Sequence, residues 1–158
     1  MNPIHTSRMA VVLILTLLGL SCAAALAAQQ SPEEQLAAAE AKWAGNKPHA
    51  YEFGIEHRFC CVIRLTTPMP QWPVFHVDGD RASLVSGDPA LSNVRDLYGT
   101  VEKQFAFIRS KLVKRPYLVE IEYDSQLGYA RRVYMKMFEH GSDDEYGFDI
   151  QGFKVVAR

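Results

Sequence analysis

The feature that most constrains the fold is a long alternation of apolar and polar side chains between Tyr51 and Leu65. One set of alternate positions holds Tyr51, Phe53, Ile55, His57, Phe59, Cys61, Ile63 and Leu65, and the other holds Glu52, Gly54, Glu56, Arg58, Cys60, Val62 and Arg64. A period of two is typical of a β-strand, because successive side chains point to opposite faces of the sheet. One apolar and one mostly polar face predict an antiparallel sheet with one wetted face, since parallel strands usually have continuous apolar runs.

Two helices are predicted, one before and one after this strand region. The segment SPEE has the pattern of a capping box with proline in the first turn, and it predicts a helix over residues 31–44. On that helix, Trp43 is interpreted as a core anchor rather than a binding residue. A threonine N-cap followed by an apolar stripe predicts a second helix over residues 100–113.

Turn sequences separate the remaining strands. VFHVDGDRASLV is predicted to form a hairpin around Asp78-Gly79, and the segment between this hairpin and the second helix is predicted to be irregular. Further strands are predicted over residues 117–123, 129–138 and 148–156. The predicted fold class is therefore α+β, with a single antiparallel β-sheet of five or six strands and two helices packed on one face.

The N-terminal residues 1–27 have the pattern of a secretory signal peptide, with one cationic side chain, an apolar run and small residues before a cleavage site after Ala27. The apolar run is shorter than the roughly 20 residues of a membrane-spanning helix. Lipidation of Cys22 is the alternative way of processing. We expect an exported protein, periplasmic or extracellular, that is held at a membrane only if Cys22 is lipidated or the signal stays uncleaved.

The rest of the chain is predicted to be one domain of ordinary size. Residues 28–49 are predicted to form an N-terminal segment with the first helix, continuous with an α+β domain over residues 50–158. The order helix, three strands, helix, three strands is compatible with an internal duplication, but no residue-level repeat accompanies it.

Several short motifs occur in an order that resembles one protein family. They are Tyr51-x-Phe53 before the cysteines, the DG hairpin, Thr100-Val101-Glu102 with Phe105, the Tyr123-Asp124 to Gly128-Tyr129 motif, and Asp143 to Glu145. Over residues 43–155 this pattern resembles the bacterial exported domain-of-unknown-function family numbered 6174. The resemblance implies an exported, often lipid-anchored, small α+β domain, and it brings no catalytic residues. The chain departs from the family's usual Cys-x-Cys, where it has Cys60-Cys61, and from GYP, where it has Gly128-Tyr129-Ala130.

The adjacent Cys60 and Cys61 are the main candidates for chemistry. Neighbouring residues of a regular strand point to opposite faces, so the pair cannot bind one metal ion unless a bulge redirects a side chain. A disulfide between them needs a strained ring, because consecutive Cα atoms are only about 3.8 Å apart. Burial of Cys61 as a small hydrophobe, a vicinal disulfide, intermolecular pairing and metal binding all remain open, and export permits the oxidised states.

Other chemistries have little support in the sequence. The chain carries 17 Lys and Arg against 18 Asp and Glu without clustered cations, which argues against a nucleic-acid partner. No histidine has the spacing of a metal-ligand pair, and the acidic segment Asp143–Glu145 is interpreted as a solvated turn rather than a calcium loop. Motifs for a nucleophile elbow or a phosphate loop do not occur. We therefore expect neither a metal site nor a cofactor.

The loop TTPMPQWP, residues 66–73, is the strongest candidate for binding. Its prolines pre-order the backbone and reduce the entropy cost of association, and Met69 and Trp72 lie among them. An exposed Trp72 would anchor a protein partner, whereas a buried Trp72 would cover the sheet edge. The leading hypothesis is a non-enzymatic binding or envelope-associated module with an envelope or secreted protein partner. The alternative is a small extracytoplasmic thiol-redox protein or hydrolase that uses Cys60 or Cys61.

Overall fold

A computed structural model describes residues 30–59, 72–87, 92–141 and 144–157 of the chain. These described residues form the helices α1 (Pro32–Asn46), α2 (Ser92–Tyr98) and α3 (Val101–Leu112), and the strands β1 (Ala50–Phe59), β2 (Val74–Asp78), β3 (Arg81–Ser86), β4 (Leu118–Tyr123), β5 (Ala130–Lys136) and β6 (Glu145–Val155). The strands build one antiparallel sheet in the order β3-β2-β1-β6-β5-β4. The predicted α+β fold with a single antiparallel sheet is therefore confirmed.

Local sequence signals explain where the longer helices begin. The Ser31 side chain accepts a hydrogen bond from the Glu34 N–H at 3.2 Å, and the Glu34 carboxylate accepts one from the Ser31 N–H at 2.9 Å. These reciprocal bonds satisfy two backbone donors that have no partner inside α1. The Thr100 hydroxyl does the same for the N–H of Lys103 in α3. None of the described helices is both long and apolar enough to cross a membrane.

The core lies on one face of the sheet, which we call the inner face. Alternate residues of the central strands are buried there, and side chains from all three helices belong to the same buried cluster. The cluster is Leu36, Ala39, Trp43, Tyr51, Phe53, Ile55, Phe75, Val77, Tyr98, Val101, Phe105, Ile108, Leu112, Tyr129, Ala130, Val133, Met135 and Phe148. The face predicted from the alternation in β1 is thus the buried one, and Trp43 is the predicted core anchor with 2% of its surface exposed.

A bulge in β6 turns an aromatic side chain into this core. The β1–β6 register shifts between Glu52 and Gly54, where Gln151 to Lys154 of β6 contain one extra residue. Gly152 has a φ of +59°, a conformation that glycine adopts at no steric cost. Phe153 then stacks on Tyr129, with ring centroids 4.2 Å apart. The bulge therefore closes the core at the end of the sheet that faces α1.

The structure differs from the sequence predictions in several places. The segment predicted to be irregular contains α2, a helix of seven residues that buries Tyr98. Within the acidic segment, Asp144 is not solvated as predicted, because it is only 9% exposed and its carboxylate accepts a hydrogen bond from the Phe138 N–H. Asp143 lies outside the described residues. Strand β6 begins three residues earlier than predicted. Residues 60–65 of the predicted first strand lie outside the described residues.

Candidate interaction surface on the outer sheet face

The outer face of the sheet carries the even-numbered side chains of β1 and β2. Glu52 is paired in register with His76, and Gly54 with Val74. The buried cluster described above contains none of these side chains. The face predicted to be wetted therefore lies outside the buried core in the described part of the sheet, and its side chains are partly exposed, among them Glu52, Val74 and His76.

Trp72 stands at the edge of this face, directly before β2. The next residue, Pro73, is buried, and its carbonyl accepts a hydrogen bond from the Ile55 N–H at 3.1 Å, so β1–β2 pairing continues to this point. Gly87 lies close against the proline, where a Cβ would be 2.7 Å from the Pro73 Cα. Because side chains alternate along a strand, Trp72 is placed on the outer face with Val74. It is 39% exposed, whereas Trp43 is 2% exposed.

Two apolar side chains, Val74 and Val85, lie at the same end of the β2–β3 hairpin as Trp72. Val74 is half-buried and lies across from Gly54, which is itself buried, with atoms of Gln151 and Val74 against it. Val85, 57% exposed, is the extra residue of a β3 bulge opposite Val74 and Phe75. We call Trp72, Val74, Gly54 and Val85 the Trp72 surface.

Charged and polar side chains border the Trp72 surface along β1. The Glu56 carboxylate accepts a hydrogen bond from the Gln151 amide at 3.1 Å. The Glu52 carboxylate lies 2.6 Å from the Lys154 ammonium and 3.2 Å from the His76 ring. The bond from Lys154 and the contact with His76 lower the pKa of Glu52, although desolvation opposes them. An apolar centre with a polar border is the arrangement found in protein–protein interfaces.

The other half of the outer face is predominantly acidic. Arg132 of β5 contacts Asp149 of β6 at 3.0 Å and Glu122 of β4 at 3.4 Å. Asp149 is only 5% exposed, while Glu120 and Glu122 on the edge strand are exposed. The outer face thus has two distinct regions, the Trp72 surface near β2 and an acidic region near β4.

On the inner face, a polar cluster lies at the end of β1. His57 Nε2 is 3.2 Å from the Tyr98 hydroxyl, and burial lowers the pKa of His57 to about 4. Burial also raises the pKa of Tyr98. The Lys111 ammonium lies 3.4 Å from the centroid of the Tyr146 ring, and burial lowers its pKa. A neutral His57 beside an un-ionised Tyr98 is compatible with a packing role for both side chains.

The sequence-predicted site residues divide into two groups. Trp72 is described and exposed, whereas Met69, Cys60, Cys61 and Cys22 lie outside the described residues. The described ranges contain no group of three or more His, Cys, Asp or Glu side chains that could hold a metal ion. Sequence reasoning missed Val74 and Val85, the apolar residues at the same end of the hairpin as Trp72. The sequence signal that could have identified them is an apolar residue at a position of the hairpin VFHVDGDRASLV that alternation assigns to the polar face.

The fold and its exposed outer face place the protein among small single-sheet α+β domains. The model of the family of unknown function DUF6174 matches residues 35–155, so the chain belongs to that family. The resemblance stated from the sequence motifs is therefore confirmed. No curated protein and no solved structure matches the chain.

Proposed function

We propose that the protein is an exported, non-enzymatic binding module that contacts an envelope or secreted protein partner through the Trp72 surface. The observation that carries this proposal is that Trp72 is 39% exposed, next to Pro73, which is buried and hydrogen-bonded to β1. The family has no established function, so the proposal rests on the surface itself. Export is proposed from the signal-peptide pattern of residues 1–27.

Burial of the partly exposed Trp72 indole against a partner is a favourable contribution to binding. Tryptophan is enriched among the residues whose truncation costs most binding free energy, because it buries a large apolar area with few rotatable bonds. Here the backbone on the C-terminal side of Trp72 is held by the hydrogen bond between Pro73 and Ile55. Less conformational entropy is then lost on binding. The charged border of Glu52 and Glu56 can exclude water from a contact centred on Trp72.

Site-specific photo-crosslinking tests the proposal. A benzophenone amino acid is placed at position 72 and, in a second variant, at Val113, which is 78% exposed beyond the end of α3. Both variants are produced with the signal segment in cells that export the protein. We expect one defined protein adduct from position 72 and none from position 113. An excess of wild-type protein without the benzophenone should suppress the position-72 adduct more strongly than the same excess of the Trp72→Ala variant does.

Equal adducts from positions 72 and 113, or no adduct from position 72, would overturn the binding proposal. That Met69 also contacts the partner is a prediction from the loop sequence. The alternative of a thiol-redox protein or hydrolase depends on Cys60 and Cys61, which lie outside the described residues, and it stays a prediction.

A further inference from the structure

Strand β4 forms one edge of the described sheet, at the far side from the Trp72 surface. Its pairing with β5 runs in regular register from Leu118 to Glu122. The Tyr117 N–H donates to the Met137 carbonyl of the neighbouring segment, and backbone direction alternates along an antiparallel strand. Leu118, Glu120 and Glu122 therefore direct their N–H and C=O groups away from β5.

No other described segment hydrogen-bonds to this edge. A row of open backbone groups is a template for the addition of another strand. The opposite edge, β3, is a poorer template, because the bulge at Val85 interrupts its register. Strand β4 has no bulge between Leu118 and Glu122.

The two faces of β4 differ in chemistry. On the inner side, Val119, Ile121 and Tyr123 are only half-buried, so apolar area remains for the side chains of an added strand. On the outer side, Glu120 and Glu122 are exposed in succession. On β5, Arg132 lies opposite Glu122, 3.4 Å from its carboxylate, and it is shared with Asp149. Lys136 lies opposite Leu118, one outer-face position along from Glu120. The edge thus combines an apolar row with an acidic row.

Charge decides between a second copy of the chain and a different partner. If two β4 strands paired about a twofold axis at Glu120 or Ile121, glutamates of one copy would lie beside glutamates of the other. Like charges directly opposite each other destabilise a pair of strands. An extended segment with lysine or arginine at alternate positions would instead face each glutamate with a cation, and its intervening apolar residues would continue the row of Val119 and Ile121.

We propose that β4 accepts an extended basic segment of a partner protein as a seventh strand, with cations opposite Glu120 and Glu122. This site goes beyond the Trp72 surface and lies at the other end of the sheet. Backbone hydrogen bonds supply the general attraction, and the alternation of cationic and apolar side chains supplies the selectivity.

The test uses the mature protein labelled with ¹⁵N and a hexapeptide of alternating lysine and valine. A hexapeptide of alternating glutamate and valine is the matched control. We expect the lysine peptide to shift the amide resonances of residues 118–123, to slow their hydrogen exchange and to bind more weakly at high salt. The glutamate peptide should leave these resonances unchanged.

Variants separate charge from backbone pairing. Charge reversal with Glu120→Lys and Glu122→Lys together should weaken binding of the lysine peptide about tenfold or more. Glu120→Pro should abolish the protection of the β4 amides, because it removes an N–H that points away from β5. Glu33→Gln, at an exposed glutamate of α1, is the control for loss of a carboxylate away from β4 and should bind as the wild type does.

Three results would overturn the proposal: equal binding of both peptides, resonance shifts confined to other strands, or a dimer of the protein paired through β4. If Glu120→Pro does not fold, the charge-reversal variant still tests the proposal. Glu120 and Glu122 are exposed, so replacing both by lysine should leave the fold intact. Crosslinking from position 72 is independent of these variants, so failure here is distinguishable from failure of the proposed function.

Discussion

Replacing Gly128 by alanine is expected to destabilise the fold far more than the same change at Gly152. Both glycines have positive φ angles, +90° and +59°. At Gly128 a Cβ would lie 2.6 Å from the Ala39 carbonyl oxygen and 3.1 Å from the Trp43 nitrogen, both in α1. At Gly152 a Cβ would meet nothing within 4 Å. The comparison therefore separates a steric clash with α1 from the cost of the backbone conformation alone.

The turn around Gly128 has little freedom to move away from α1. The Asp124 carboxylate accepts hydrogen bonds from the N–H groups of Gln126 at 3.0 Å and Leu127 at 2.7 Å, as aspartates in turns commonly do. The Lys42 ammonium donates to the Ser125 carbonyl at 3.0 Å. Relief of the clash consequently requires a shift of α1 or the loss of these bonds.

The expected magnitudes follow from these two costs. A left-handed backbone conformation costs alanine about 1–2 kcal/mol, which is the whole effect at Gly152. Forcing an extra methyl group into packed surroundings costs about 1–3 kcal/mol more, so Gly128→Ala should lose about 2–5 kcal/mol. For a domain of this size, about 1 kcal/mol corresponds to roughly 4 °C in Tm.

Urea unfolding of both variants, followed by circular dichroism, measures the difference. We expect the midpoint for Gly128→Ala to fall well below that for Gly152→Ala, or the variant to fail to fold. Equal losses at the two positions would refute the claim that the β4–β5 turn is packed on the backbone of α1.

Three further predictions concern the core, pH and processing. Trp43→Ala should cost about 3–5 kcal/mol because Trp43 is buried, whereas Trp72→Ala should change the unfolding free energy by less than about 1 kcal/mol; thermal unfolding of both variants decides. His57 has a pKa of about 4 in the folded protein, below its unfolded value, so its stabilising contribution is complete above the unfolded pKa. That contribution, about 1–2 kcal/mol after discounting for partial exposure, should be lost as pH falls from about 6.5 to 4, and His57→Gln should remove this part of the pH dependence in urea unfolding. The processing prediction is tested by the intact mass of the exported protein, measured before and after thiol alkylation without reductant. The mass should correspond to a chain beginning at Ala28, and a lipid-modified chain beginning at Cys22 would contradict soluble release. A mass two hydrogens light that does not change on alkylation would identify a disulfide.

Much of the fold could be predicted because its signals are local. The capping residues Ser31 and Glu34 form the bonds that their spacing indicates, and alternation in β1 identifies the buried face. The short helix α2 was missed because seven residues give too few turns for a clear apolar stripe. Burial of Asp144 depends on a partner, the Phe138 N–H, that no local pattern indicates.

The candidate surfaces could be predicted only in part. Trp72 was identified from its proline-rich loop, since an aromatic residue on a pre-ordered backbone favours binding. Its neighbours Gly54 and Val74 depend on the register between β1 and β2, and the open edge of β4 depends on the strand order. Register and strand order arise from tertiary pairing, so a single sequence does not define them.

The most direct test of the account is the affinity of the crosslinked partner for two purified variants, Trp72→Ala and Val113→Ala. Both positions are exposed, so neither change should unfold the domain. The account predicts that Trp72→Ala raises Kd about thirtyfold or more, the effect of losing a central anchor, while Val113→Ala changes it by less than about twofold. Equal affinities for the two variants would contradict the claim that the protein binds its partner through the Trp72 surface.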